Sequence, residues 1–264
     1  MRIVVCIKQV FDRATIRVSS RGELDTREGE RVINPADLCA LEEALRIKDA
    51  QPAEVIALSL GGAEAEDALR EALAIGADRA VLLSDALFAG SDAQAVAYVL
   101  ARAIQTIAAG GQGVDLILAG SASADSGDGQ VGVAIAEMLG LPQITDARFL
   151  DVTDKQAIAT QSLEDGDRRI SVPLPAVVTV PRRSNVPRLA AVASIMNVYS
   201  QRTVEKWRAA DIELDLARLG TAGSPTVVRR SFPPEPQSKG DILTGTPRQA
   251  ATALVARLRK RGLI

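Results

Sequence analysis

The 264-residue chain contains no histidine. That absence removes imidazole metal sites, Ser–His–Asp or Cys–His machinery and any histidine general base. Aromatic residues make up only 3% of the chain, against 47% apolar content overall. Ala, Val, Leu and Ile must therefore fill the interior, which suits helices packed closely on a sheet. The two cysteines, Cys6 and Cys39, are too few for a disulfide framework or a structural zinc site. Both fall inside apolar patterns and read as buried thiols of a reducing compartment, so no metal site is expected. Neither sign of charge dominates, with 31 Lys and Arg against 33 Asp and Glu and a net charge of −2. That leaves no electrostatic footprint for nucleic acid or an anionic membrane. No apolar run reaches the roughly 18 residues a spanning helix needs. The chain enters a strand within two residues, without a signal-peptide pattern. No membrane insertion and a cytoplasmic location are the expectation.

What the sequence does have is a stretch of unusually small side chains, Ala119 to Pro142. The apolar run Val114 to Ala119 reads as a buried strand that stops at Gly120. The nine residues Ser121, Ala122, Ser123, Ala124, Asp125, Ser126, Gly127, Asp128 and Gly129 follow without one bulky side chain. From Gln130 the pattern turns helical, with Val131, Ile135, Met138 and Leu139 on one face. A strand, a small-residue loop and a helix N-terminus can hold a phosphate on free backbone N–H groups. The loop matches neither G-x-G-x-x-G nor a P-loop, so an ordinary strand–helix connection remains equally open at this level. Asp125 and Asp128 argue against a site made of positive charge. They suit hydroxyl or amine partners, with phosphate left to backbone amides.

Taken in order, Arg2 to Val10 reads as a central parallel strand, and Thr15 to Val18 with the turn 21–24 as a short hairpin excursion. Pro35 sits at a helix start, followed by an apolar stripe from Leu38 to Ile47. Strands at Glu54 to Leu60, Arg79 to Leu83 and Val114 to Ala119 alternate with helices at Ala63 to Ile75 and Asp92 to Ile107. This rhythm predicts an α/β fold with a doubly wound, mostly parallel sheet. After Pro142 three antiparallel strands are expected, at Ala147 to Val152, Gln156 to Leu163 and Arg168 to Val172. Ala176 to Val180 then rejoins the main sheet. Residues 1–199 are read as the α/β domain. Residues 200–264, with anchors at Trp207 and Ser231-Phe232-Pro233-Pro234 and a helix from Pro247, are read as an arm that wraps a partner.

The order and spacing of several segments resemble one family over nearly the whole chain. These are VVCIKQVFD, VINPADLCALEEALRIKD, VIALSLGG, ALREALAIGADRAVLL, VDLILAGSASADSGDGQVG and VPLPAVVTVPRRSNVPRLAAVASIM. Together they are similar to the β subunit of electron-transfer flavoproteins. The resemblance implies an adenine-nucleotide-binding, universal-stress or Rossmann-like fold and a heterodimer with an α subunit that holds the redox-active FAD. It implies no catalytic residue in this chain. Instead the chain shapes the FAD site from outside and binds its own nucleotide, AMP in one branch of the family and a second FAD in the electron-bifurcating branch. By matching positions, the nucleotide contacts would be Cys6, Asn34, Pro35, Ala36, Asp37, Leu60 and the run from Gly120 to Val131. Cys6 would contribute backbone; Asn34 and Asp37 could serve equally as helix caps. Leu189 to Met196 would form a docking loop for acyl-CoA or other dehydrogenases, with Val192 as anchor and Ile195 and Met196 behind it. A quinone oxidoreductase, or a ferredoxin or flavodoxin, would be the acceptor.

Two departures bear on the branch. Where the AMP-type members carry aromatics and a lysine cluster, this chain has Arg13, Ala36 and Asn197 to Ser200. Leu141-Pro142-Gln143, Trp207, Gly223-Ser224-Pro225-Thr226 and the Ser231 to Pro234 arm look like the NADH-linked members. The resemblance thus leans to FAD over AMP. In the FAD case NADH would supply the electrons, which split between the α flavin and a low-potential carrier. The competing reading is a stand-alone, universal-stress-like regulatory module, which leaves the basic link Pro181 to Arg188 and the arm without a task. A small-molecule enzyme using Asp125 or Asp128 as base is the remaining alternative.

Overall fold

The computed structural model describes residues 1–18, 24–153, 155–230, 232 and 240–264. In chain order the strands and helices begin with β1 (Arg2–Cys6), β2 (Gln9–Phe11), β3 (Arg17–Val18), β4 (Leu24–Asp25), β5 (Arg31–Ile33) and α1 (Pro35–Ala50). They continue with β6 (Glu54–Leu60), α2 (Glu66–Ile75), β7 (Arg79–Leu83), α3 (Ala93–Ala109), β8 (Leu116–Gly120) and α4 (Val131–Leu139). Then come β9 (Gln143–Ile144), β10 (Ala147–Val152), β11 (Gln156–Leu163), β12 (Gly166–Pro173) and β13 (Ala176–Val180). The last are α5 (Val192–Gln201), β14 (Glu205–Trp207) and α6 (Pro247–Lys260).

The main sheet has seven strands in the order β14-β7-β6-β1-β8-β13-β9, all paired in parallel. Its inner strands β6, β1, β8 and β13 read as near-continuous apolar runs because both faces are covered. Along β1, Ile3 and Val5 join one buried cluster, with α1 and α2, while Val4 and Cys6 join the other, with α3 and α4. The chain runs outward from β1 through β6 to β7, then returns to β8 on the opposite side of β1. Strand order therefore reverses between β1 and β8, and a ligand crevice is expected at the carboxyl ends of those strands. The second sheet, β10-β11-β12, is antiparallel and turns Ala157 and Ala159 inward.

Two sequence expectations change, and a third lies partly outside the described residues. The Arg2 to Val10 run is not one strand: β1 ends at Cys6, and Gln9–Phe11 pairs antiparallel with β5. The reason is local. The Lys8 N–H donates to the Asp37 carboxylate at 2.8 Å, and the Lys8 carbonyl accepts from Asn34 N at 2.9 Å, so the backbone turns out of the ladder there. The expected hairpin is present as β3 with β4, and residues 19–23 of its turn lie outside the described residues. Finally, Glu205–Trp207 is a strand, pairing in parallel with β7 at the edge of the main sheet, and Ala209, Ile212 and Leu219 are buried beyond it. Of the anchors expected in the arm, Ser231, Pro233 and Pro234 lie outside the described residues. Among the described residues no helix is long and apolar enough to cross a membrane.

Leu118, fully buried in β8, tests the layered core. Leu118→Ala is expected to lower unfolding stability by roughly 2–5 kcal/mol, read as a lower denaturant midpoint with an unchanged m-value.

Candidate functional site

The carboxyl ends of β1, β6 and β8 open into a cavity of about 500 Å³. Its floor is Cys6, Ile7, Leu60 and Ala119, and one wall is the loop from Gly120 to Gln130. The start of α3 and two residues of the C-terminal segment, Thr226 and Val228, form the other.

Asp37 organises the first wall. It lies in the first turn of α1 and is buried. Its carboxylate accepts from Lys8 N at 2.8 Å, Gly120 N at 3.0 Å and Asn34 Nδ2 at 2.9 Å. One side chain thus joins the end of β1, the start of α1 and the end of β8. Burial pushes the Asp37 carboxyl up to about 6, and the three donors together with the Lys8 charge do not offset it. Asn34 precedes α1 but makes no side-chain cap. Instead its amide donates to Ala122 O at 3.1 Å, and its Oδ1 accepts from Ala124 N at 3.0 Å. The expectation that Asn34 caps the helix is corrected: the side chain reaches across and pins the loop.

Gly120 lies where a Cβ would overlap Asp37 Oδ1 and come within 2.8 Å of Asp37 N and Ala36 Cβ. A close backbone approach at the end of β8 is possible only without a side chain. Ala36 and Pro35 stand behind this contact and do not line the cavity. Ala124, Asp125 and Gly127 also lie outside the wall but shape the loop. Ala124 O accepts from the Arg13 guanidinium, and Asp125 pairs with Lys8 Nζ at 2.6 Å. Gly127 turns at φ +71°. Cys6 lines the floor. Burial, reinforced by the Asp37 charge, pushes its thiol up to about 12, so it is a neutral wall and not a nucleophile. The Gln130 side chain does not cap α4, which leaves the first-turn amides of that helix to other acceptors.

Several lining residues escaped the sequence reading: Lys8, Ser91, Asp92, Ala93 and Thr226 among them. Lys8 was within reach of the strand-end rule, since it follows the last residues of β1. Asp92 carries an N-cap signal, accepting from Gln94 N and Ala95 N at 3.0 Å each. Thr226 has no local signal at all.

Val192, Ile195 and Met196 lie elsewhere, on α5, with 74%, 41% and 69% of their surface exposed. The segment leading to them is anchored on α1. Arg188 grips the buried Glu42 through Nε at 2.9 Å, Nη2 at 3.0 Å and its backbone N at 2.9 Å, and reaches Asp49 at 2.7 Å. Asn185 donates to Cys39 O at 3.0 Å and to buried Glu43 at 2.7 Å. Glu42 and Asp49 hold the Arg188 guanidinium above its ordinary range.

Small residues at a strand-order reversal, a close-approach glycine and an uncapped helix start make a chamber of the kind that can take a phosphate-bearing ligand. Comparison with known proteins defines the class. The family model described as the electron transfer flavoprotein domain matches residues 23–212. The chain is 40% identical over 265 residues to the electron transfer flavoprotein subunit beta of Thermoanaerobacterium thermosaccharolyticum, covering all of both chains. It is also 40% identical over 267 residues to the caffeyl-CoA reductase-Etf complex subunit CarD of Acetobacterium woodii, again covering both in full. To protein FixA of Bradyrhizobium diazoefficiens it is 39% identical over 260 residues, which is 97% of this chain and 90% of FixA. The chain belongs to the electron transfer flavoprotein β-subunit family. Membership carries an electron-transfer role and an α-subunit partner.

Two measurements test the Asp37 junction. Because its folded carboxyl titrates above the ordinary 3.8, the native state holds the extra proton between about pH 4 and 6. This group's contribution therefore falls as pH rises through that window, by an amount of order 3 kcal/mol. The stability of wild type relative to Asp37→Asn is expected to be greater at pH 4 than at pH 7 in denaturant titrations. Gly120→Ala is expected to cost about 1–3 kcal/mol by overpacking against Asp37, in the same assay.

Proposed function

We propose that this chain is the β subunit of a heterodimeric electron-transfer flavoprotein, accepting electrons from dehydrogenases or NADH and passing them through FAD to a downstream acceptor. The observation that supports it is the chamber at the β1/β8 reversal, whose lining includes most of the positions that the family resemblance assigns to an adenine nucleotide. Lined by Asn34, Asp37, Leu60 and most of the Gly120 to Val131 loop, with Ala124, Asp125 and Gly127 outside, it suits the AMP moiety of either AMP or FAD. The arm's sequence and the added wall at Ser91 to Ala93 and Thr226 favour FAD, because they extend the chamber beyond the part those residues account for.

A bound flavin would supply the exchange between two-electron and one-electron carriers. The chain's own residues bind, orient and shield. Asp37 and Asn34 fix the loop, and Leu60, Val96 and Leu100 give the chamber apolar walls. Lys8 is the cation among the described lining residues. On this reading, exposed Val192, Ile195 and Met196 dock a dehydrogenase briefly, as fast electron transfer requires. Residues beyond Trp207, ending in the exposed helix α6, wrap the α subunit; α6 has no buried residue of its own. The cytoplasm is the proposed compartment.

Co-expression with the α subunit and a cofactor count test this. The expected result is a yellow complex carrying two FAD per heterodimer, with NADH bleaching the second. One FAD with one AMP would overturn the FAD assignment and keep the family function. A colourless chain that neither retains a nucleotide nor associates with an α subunit would overturn the whole reading in favour of a regulatory module.

A further inference from the structure

The chamber's outer wall is held by an interaction that belongs to neither β1 nor β8. The segment 219–226 lies against the turn that leads into α3. Gly220, at φ +54°, leaves no room for a Cβ, which would come within 2.7 Å of Leu87 O, and Ser224 Oγ donates to Gly220 O at 2.6 Å. Ser224 Oγ also accepts from Asp92 N at 2.8 Å. Asp92 in turn divides its two oxygens. Oδ1 caps α3, accepting from Gln94 N and Ala95 N; Oδ2 leaves the helix and accepts from Thr226 N at 3.0 Å. Thr226 and Val228, on the far side of that bond, line the chamber, although 82% of the Val228 surface is exposed. Nothing else in the sheet or loop walls reaches these positions among the described hydrogen bonds.

We propose that Asp92 is a positioning residue of the nucleotide chamber. By capping α3 with one oxygen and holding Thr226 with the other, it latches residues 224–228 in place as a wall that retards escape of the bound nucleotide. The inference rests on the nucleotide reading above and adds a retention role for a segment outside the adenine-contact residues.

The two oxygens permit a selective test. Asp92→Asn keeps an acceptor for the helix cap, and Asn caps as well as Asp. Its amide group, however, presents N–H where Thr226 needs an acceptor. A hydrogen bond to a charged group is lost at the latch alone, so radiolabelled AMP and FAD, loaded in turn on the full-length chain, are expected to leave about tenfold faster or more. The thermal midpoint should change little. Ser224→Ala, which removes the other half of the latch without touching charge, is expected to speed release in the same direction. Charge alone predicts the opposite sign for Asp92→Asn, since removing an anion beside an anionic ligand slows its departure. Release at or below the wild-type rate in both variants would overturn the proposal. Failure of the underlying reading looks different: wild type itself would then retain neither AMP nor FAD, and the proposal would fall with it.

Discussion

One buried carboxylate sets the geometry of the chamber. Asp37 draws together N–H groups from the end of β1, from the residue preceding α1 and from the end of β8. An amide could not replace it, since it offers one accepting oxygen where the site needs two. Burying a charge is costly, and burial does raise this carboxyl. The return is positional: β1 is cut at Cys6, Lys8 is turned to the mouth, and Gly120 is brought so near α1 that no side chain fits. The crevice at a strand-order reversal is a general consequence of doubly wound topology. Its depth and floor here follow from this junction.

The parts of the fold that were legible in the sequence are those whose pattern is local. β6 and β7 have the limits read from their near-continuous apolar runs, because a strand covered on both faces carries few polar positions to confuse the reading. The antiparallel strands β10 and β11 kept their expected limits for a related reason, being bounded by short polar turns. β1 was overextended because its true end depends on Asp37, 29 residues beyond Lys8. No window along Arg2 to Val10 contains that information. β14 was missed because Glu205, Lys206 and Trp207 show neither alternation nor an apolar run; its pairing with β7 and the Arg79–Glu205 contact define it.

The candidate site divides in the same way. The loop from Gly120 to Gln130 stands out in composition as small residues between a strand and a helix N-terminus, a place where backbone N–H groups can hold an anion. Its inner tie was not, because the capping preference of Asn34 is real but outbid by a longer reach to Ala122 and Ala124. Thr226 was beyond any local signal, for it reaches the chamber only through Asp92, 134 residues earlier.

α1 links the two regions to which the proposed function assigns a role. Its first turn carries Asp37 in the chamber, and the following turns carry Glu42 and Glu43, which hold Arg188 and Asn185 at the base of the exposed segment. An ion pair with one partner buried contributes little to stability against a well-packed apolar alternative. Its use is better understood as orientation: a guanidinium held by two nitrogens and its own backbone cannot rotate about a single bond. Physical continuity between two sites does not make them energetically coupled. It does make them share a frame, so the exposed side chains of α5 and the chamber keep a constant relation through one rigid helix. Under the proposed function, in which a flavin must stand in a set place relative to a docked partner, a fixed relation matters more than a strong contact.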